Sequence, residues 1–477
     1  MGESLFTLAF DGTAVVTDDG VSVSYAELRL RTDAFAARIP GRSLVFILAS
    51  NNLDALVGYV GCLNHRIVPL MLPANIDREL LDHLISLYQP DFLWQPGSSG
   101  YKLTRPCQLP TATADCRPPT ADCHLLTANF PFSSRPLHPE LALLLTTSGS
   151  TGSPKFVRQS YANIRANTES IVEYLELVAS ERAITTLPMS YTYGLSIINT
   201  HLFVGATLLL TDRTLMQRDF WDFFNAQNAT SFGGVPYTYE MLDKLMFFRR
   251  KLPSLRTMTQ AGGKLLPAFH RKFAEYAQRE GKRFVVMYGQ AEATARMAYL
   301  PPGRALDKLG AMGIAIPGGK FTLVDEAGRA ITAPGVTGEL VYEGANVTLG
   351  YAENGADLAK GDERHGRLVT GDMAQMDDEG FFTIVGRKKR FLKIFGNRVN
   401  LDETERLIKG HFTDLDCACG GVDDKMTIYI TDQSKLKAVQ DFVTAKTHLN
   451  FAGFQMVYLA AIPKNASGKT LYSELPG

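Results

Sequence analysis

The chain has 477 residues, 49 basic against 49 acidic, with 45% hydrophobic and 21% charged content. That length exceeds one ordinary domain and predicts two or three packed units of a globular protein. Zero net charge leaves no footprint for nucleic acid or a polybasic membrane anchor. No apolar run reaches the roughly 18 residues needed to cross a bilayer. The first residues lack a basic stretch leading into an apolar core, so a cytoplasmic protein is expected.

In chain order, residues 24–39 have the apolar spacing of a helix, 44–48 form a short apolar strand and 53–64 a helix. Residues 67–72 are a strand and 78–88 a helix. This alternation argues for α/β layers around largely parallel strands. Residues 99–139, rich in Pro, Thr and Ser, read as an irregular connector with short strands. The α/β pattern resumes from 141 to about 300. Between 305 and 385, glycines punctuate short strands at 320–324, 338–342 and 381–385, which suggests a small β-rich subdomain. Beyond 389, a helix at 402–409, a strand at 426–431 and a helix at 434–446 predict a small α+β domain.

The six cysteines are few for this length. Cys107, Cys116, Cys123 and His124 fit no usual zinc spacing, and Cys417-Ala418-Cys419 reads as a strand or loop pair. Ordinary thiols of a reducing compartment are expected.

The apolar run at 141–145 ends in Thr147, Ser148, Gly149, Ser150, Thr151 and Gly152, and Lys155 follows Pro154. The glycines permit a tight turn and close approach to a ligand. The hydroxyls and N–H groups suit phosphate oxygens, and Lys155 adds charge. A polar turn after a buried strand accounts for the composition equally well. The spacing is not that of the nucleotide P-loop, which needs a Gly-Lys pair. Ser467-Gly468-Lys469-Thr470 is a nearer miss that lacks the first glycine.

The stretch 144–155 resembles the phosphate-binding signature of the adenylate-forming superfamily, which includes acyl- and aryl-CoA synthetases, adenylation domains and luciferases. Further matches follow in that superfamily's order. They are the segment 187–194 with Tyr191, Thr192 and Tyr193, then Gln260-Ala261-Gly262-Gly263-Lys264, then Tyr288-Gly289-Gln290-Ala291-Glu292. Gly338-Glu339-Leu340, Gly350-Tyr351, Thr370-Gly371-Asp372, Gly386-Arg387-Lys388-Lys389 and 463–469 complete the series. The resemblance implies a large N-terminal domain, 1–388, of layered α/β subdomains plus a small β-rich subdomain. It also implies a small mobile α+β C-terminal lid, 389–477, with a hinge near Lys389.

The implied reaction has two halves: a carboxylate attacks ATP to give an acyl-adenylate, and a thiol then displaces AMP. Both need positioning and charge neutralisation more than a nucleophilic side chain. By resemblance, 147–152, Lys155, Gly263, Tyr288, Gly289, Asp372 and Arg387 bind nucleotide. Tyr288 would lie on adenine, and Asp372 would accept from the ribose hydroxyls. Glu292 would hold Mg²⁺, a hard cation suited to carboxylate. Lys469 would bridge carboxylate and phosphate in the first half-reaction. Lys393 would serve the second, the two exchanging places by rotation of the lid. Read without the resemblance, Glu292 is a solvated glutamate, Tyr288 a core ring, Thr-Gly-Asp a turn, 386–389 a basic turn and Lys469 a surface lysine.

Four positions depart from the superfamily pattern: Ala291 for threonine, Phe156 for glycine, Tyr191 for histidine and Val286 for a polar residue. Thr192 stands where amino-acid-activating members carry aspartate. A buried α-ammonium there would have no partner, so the expected substrate is an aryl or short-to-medium acyl acid without an α-amino group. Tyr191, Thr192, Tyr193, Val235, Tyr237, Ala261 and Gly262 are the expected lining. The acceptor is the pantetheine thiol of coenzyme A or of a carrier protein's phosphopantetheine. A degenerate adenylate-binding regulator or scaffold is a rival reading. So are a ligase with a non-thiol acceptor and a luciferase-like oxidant.

Overall fold

A computed structural model of the chain describes residues 4–98, 100–106, 136–146, 155–388, 390–395, 397–447, 449–465 and 468–476. The predicted phosphate loop 147–152, the hinge residue Lys389, and Cys107, Cys116, Cys123 and His124 lie outside the described residues.

Two α/β sheets form the bulk of the molecule. In the seven-stranded sheet, Leu141–Thr146, Val68–Pro73, Leu44–Ala49 and Phe92–Gly97 run parallel. The nine-stranded sheet has a parallel centre of Arg283–Tyr288, Thr257–Gln260, Ser231–Gly234, Arg182–Ile184, Thr207–Leu210 and Thr13–Thr17. The helices at 25–36, 53–64 and 78–88 match the expected helical segments, the first ending three residues earlier than expected. Strands buried on both faces read as continuous apolar runs, as parallel strands do.

The expected β-rich region is a five-stranded antiparallel sheet of Ala330–Ile331, Gly319–Val324, Gly338–Gly344, Arg367–Met376 and Phe382–Arg387. After it come the hairpin Phe391–Ile394/Asn397–Asn400 and the helix Leu401–His411. A sheet of Cys417–Val422, Lys425–Ile430 and Phe454–Tyr458 follows, with the helix Leu436–Thr447. Cys417 and Cys419 are buried in the first of these strands, as free thiols. The predicted helix at 434–446 begins as a single 3-10 turn, Gln433–Lys435, because the Asp432 side chain accepts from the Ser434 N–H. Among the described residues no helix is long and apolar enough to cross a membrane.

Two local features aim the site. Phe156 begins the strand Phe156–Ser160 and is buried edge-on against Tyr88, with ring centroids 5.1 Å apart. It anchors the backbone beside Lys155. Ser160 then ends the strand and caps the helix Tyr161–Leu175 in a reciprocal box with Asn163.

Candidate active site

Glu292 sits on the 3-10 turn Ala291–Ala293, just past Arg283–Tyr288, the last parallel strand of the nine-stranded sheet. The turn is tight. A Cβ at Gly289 would collide with the Ala295 carbonyl, and Thr294 is held at φ +66°. Such a conformation costs on the order of 1–3 kcal/mol and needs support from its surroundings. Here Thr192 Oγ1 and Gln159 Nε2 donate to the Thr294 carbonyl, while Thr294 Oγ1 donates to the Asn346 carbonyl at 2.7 Å. The Thr192 hydroxyl is therefore committed to this turn.

The Glu292 carboxylate accepts from Tyr351 Oη at 2.7 Å. Two cations flank that tyrosine ring: Lys155 Nζ lies 3.7 Å and Arg364 Cζ 4.5 Å from its centroid. Lys155 also meets Glu353 at 3.5 Å, a half-exposed pair worth little by itself. Arg364 donates to the Glu292 carbonyl and to Thr348 Oγ1, each at 2.9 Å. The result is one carboxylate bordered by two cations. Among the described residues no group of three or more His, Cys, Asp or Glu side chains could hold a metal by itself. A single carboxylate suits a cation whose remaining ligands are phosphates and waters.

Asp372 pairs with Arg387 across adjacent strands and is buried, at 5% exposure. Its Oδ2 accepts from Tyr288 Oη at 2.5 Å and from Gln290 Nε2 at 2.7 Å. Its Oδ1 faces Arg387 Nε at 3.6 Å. Burial pushes the carboxyl above its ordinary range, and the Arg387 charge opposes that shift.

Lys469 reaches the same place from the far end of the chain. Its loop is closed by the Asn465 N–H donating to the Lys469 carbonyl at 2.9 Å and the Lys469 N–H donating to Asn465 Oδ1 at 3.0 Å. Gly468, at φ +74°, lies flat on Tyr237; a Cβ there would come within 2.9 Å of Tyr237 Cβ. Lys464 pairs with Asp416 at 2.5 Å and lies 5.8 Å from the Tyr237 ring. Lys469 Nζ ends 5.7 Å from the centre of the Tyr191 ring. Burial, and then the Arg387 charge, lowers its ammonium to about 8, while Glu292 and Asp372 oppose the shift. The charges of Arg387, Glu292 and Asp372, from distant parts of the sequence, thus all act on the Lys469 ammonium.

Tyr191, Tyr193, Val235 and Ala261 gather in one apolar cluster with Leu187, Val285 and Met287. Gly262, at φ +83°, leaves room for the Tyr191 hydroxyl, which a Cβ would meet at 2.7 Å. Gly263 packs on Pro236. Tyr193 is buried, and its hydroxyl donates to the Thr259 carbonyl at 2.8 Å. Tyr237 is 43% exposed and lies under the C-terminal loop, outside that cluster. Lys393 is on the strand Phe391–Ile394; its side chain is outside the described residues. Sequence reasoning gave no role to Tyr351, although Gly350-Tyr351 is one of the matched motifs. It likewise gave no role to Gln290, although that residue is in the matched segment 288–292, and it did not single out Arg364 and Arg296.

The family model for AMP-binding enzymes matches residues 8–352, well over half of the chain. The chain belongs to that adenylate-forming family. AMP-binding relatives include oxalate–CoA ligase of Saccharomyces cerevisiae, 27% identical over 343 residues, which are 69% of this chain and 62% of that protein. Indoleacetate–CoA ligase of Aromatoleum aromaticum is 31% identical over 273 residues, 57% of this chain and 52% of that one. The chain thus spans less than two thirds of the length of these two relatives.

The fold extends further than the aligned sequence. The O-succinylbenzoate coenzyme A synthetase of Bacillus subtilis in complex with AMP superposes with a TM-score of 0.78 at 20% identity, over 98% of this chain and 96% of that one. ATP-bound MatB from Rhodopseudomonas palustris gives 0.76 at 21%, over 99% and 98%. The AMP-binding fold therefore includes the C-terminal unit that carries Lys469.

Proposed function

We propose that the protein is an AMP-forming acid–thiol ligase. It activates a carboxylic acid without an α-amino group using ATP, and passes the acyl group to the pantetheine thiol of coenzyme A. The placement of Lys469 beside the Tyr191 ring, buried and under the charges of Glu292, Asp372 and Arg387, carries the reading, since an idle C-terminal loop would have no reason to bury a lysine there. Relatives named as CoA ligases support it.

In the first half-reaction a carboxylate oxygen bonds to the α-phosphorus of ATP. The bond from that phosphorus to the β-phosphate oxygen breaks, and pyrophosphate leaves. Lys469 stands between the two anions and offsets their repulsion. Lys155, with 147–152, Gly263 and Gly289, borders the nucleotide. Asp372 accepts from its ribose hydroxyls, and Tyr288 and Arg387 hold Asp372 in place. Glu292 is the carboxylate that would hold Mg²⁺, which supplies charge neutralisation on the phosphates.

In the second half-reaction the thiol sulfur bonds to the carbonyl carbon, the carbon–oxygen bond to AMP breaks, and the thiol proton is released. Lys393 serves that step after the unit 389–477 turns about Lys389 relative to 1–388. An apolar cluster running from Ile394 to Phe454, drawn wholly from beyond the hinge, supports treating that unit as a separate body.

The acid is accommodated by Tyr191, Thr192, Tyr193, Val235, Tyr237, Ala261 and Gly262. The engagement of the Thr192 hydroxyl by Thr294 supports a substrate with no ammonium at that point. Buried free thiols at Cys62, Cys417 and Cys419 support a reducing, cytoplasmic setting.

The test is acid-dependent exchange of labelled pyrophosphate into ATP over aryl, fatty and amino acids, with Lys469→Ala as control. Thioester formation is then measured with coenzyme A and with a phosphopantetheinylated carrier protein. Exchange with one class of acid that is lost in the variant supports the reading. ATP binding without exchange for any acid overturns it in favour of a binding protein.

A further inference from the structure

Arg296 lies four residues past Glu292 and is 2% exposed. Its NH2 donates to Ser196 Oγ at 3.0 Å, NH1 faces the sulfur of Met287, and Nε has no hydrogen-bond partner. Its Cζ sits 4.0 Å over the ring of Tyr193. No carboxylate pairs with it among the described residues, whereas arginine carries five N–H donors and a fixed charge.

Arg158, equally buried, is the contrast. It pairs with Glu363, and its nitrogens also donate to the carbonyls of Leu349, Tyr351, Lys360 and Gly361. That is how a structural arginine is satisfied in this fold. Burying a guanidinium against a thioether, the hydroxyls of Ser196 and Tyr174 and an aromatic face, all of them neutral, is costly unless an anion completes the site.

The surroundings say where that anion comes from. Met287 and Tyr193 belong to the same apolar cluster as Tyr191, Val235 and Ala261. The Tyr191 and Tyr193 rings are 6.4 Å apart, with Lys469 on the Tyr191 side and Arg296 on the Tyr193 side. One cation thus stands where the reacting carboxyl would be and a second at the other end of the tyrosine wall.

We propose that Arg296 selects the substrate by pairing with a second carboxylate at the end remote from the reacting one, so that the acid activated here is a dicarboxylic acid. The inference rests on the adenylation reading and narrows its substrate class. Arg296 is the specificity residue, and Tyr193 positions it by stacking.

The test compares matched pairs in pyrophosphate exchange: hexanoate with adipate, and benzoate with terephthalate, at saturating ATP. The wild-type enzyme should favour the diacid in kcat/KM by about tenfold to hundredfold, the value of a desolvated charged pair. Arg296→Met should lose the diacid by a similar factor while keeping the monoacid, and Arg296→Lys should recover part of it. ATP affinity unchanged in both variants shows that the fold survives. If Arg296→Met does not fold, the wild-type panel decides alone. Exchange with monoacids only, or an equal loss for both members of a pair, overturns the assignment and leaves adenylation intact. Exchange with no acid overturns both.

Discussion

The hydroxyl of Tyr288 donates to Asp372 Oδ2 at 2.5 Å, joining the last parallel strand of the nine-stranded sheet to the fourth strand of the five-stranded one. The bond stabilises the charged form of a carboxylate that burial otherwise pushes towards protonation. If Asp372 binds nucleotide in its charged form, as proposed, affinity falls as pH drops through its pKa. Tyr288→Phe removes the donor, raises the Asp372 pKa further and moves the acid limb of nucleotide binding up by about one pH unit. Calorimetric titration of ATP between pH 4 and 8 checks this; an unmoved limb would mean that Gln290 alone holds the charge. Asp372→Ala should weaken binding about tenfold or more at all pH values.

Lys469 carries a pH signature with a defined sign. Its pKa falls from 10.5 to about 8 in the folded protein, mainly through burial. Below pH 8 the buried ammonium destabilises the ligand-free protein. Between 8 and 10.5 the unfolded chain binds the extra proton, so stability rises with pH across that window. Wild-type protein should therefore gain on Lys469→Met from pH 8 to 10.5 in urea denaturation without nucleotide. A constant difference would place the lysine in solvent. In exchange assays Lys469→Met should lose about 100-fold or more with little change in ATP affinity.

Tyr351 holds Glu292, and Lys155 and Arg364 flank its ring. Tyr351→Phe keeps the stacking and frees the carboxylate. Partners of metal-bound groups are typically worth about 10–100-fold in metal affinity. The Mg²⁺ concentration needed for half-maximal exchange should rise by about tenfold, with the KM for the acid unchanged. A rise in acid KM alone would assign the tyrosine to the acyl pocket.

Gly468 tests the docked loop. A Cβ there meets Tyr237 at 2.9 Å, and φ +74° is strained for alanine. Gly468→Ala should slow adenylation about tenfold by displacing Lys469, since strain of on the order of 1–2 kcal/mol falls on that arrangement alone. Thioester formation from preformed acyl-adenylate should be unaffected. Equal slowing of both halves would show that the loop does not change partners between them.

The sequence by itself determined the fold class, the order of layers and the family. Apolar spacing marked the helices at 25–36, 53–64 and 78–88 to within three residues at their ends; the last buries one face through Leu81, Leu84 and Tyr88, whereas the second is buried from Ala55 to Leu63. Glycine placement announced the antiparallel sheet, and ordered motifs named most candidate residues. None of this could say which candidates meet. Pairing of Asp372 with Tyr288, of Glu292 with Tyr351 and of Lys469 with the Tyr191 wall joins residues dozens to hundreds of positions apart, and no local pattern encodes such contacts. The same limit hid Arg296, which is an unremarked basic residue in a motif's wake until the chain is folded. Only the tertiary structure shows that it is buried without a carboxylate among the described residues, because the cost of an unpaired charge depends on everything that surrounds it in space.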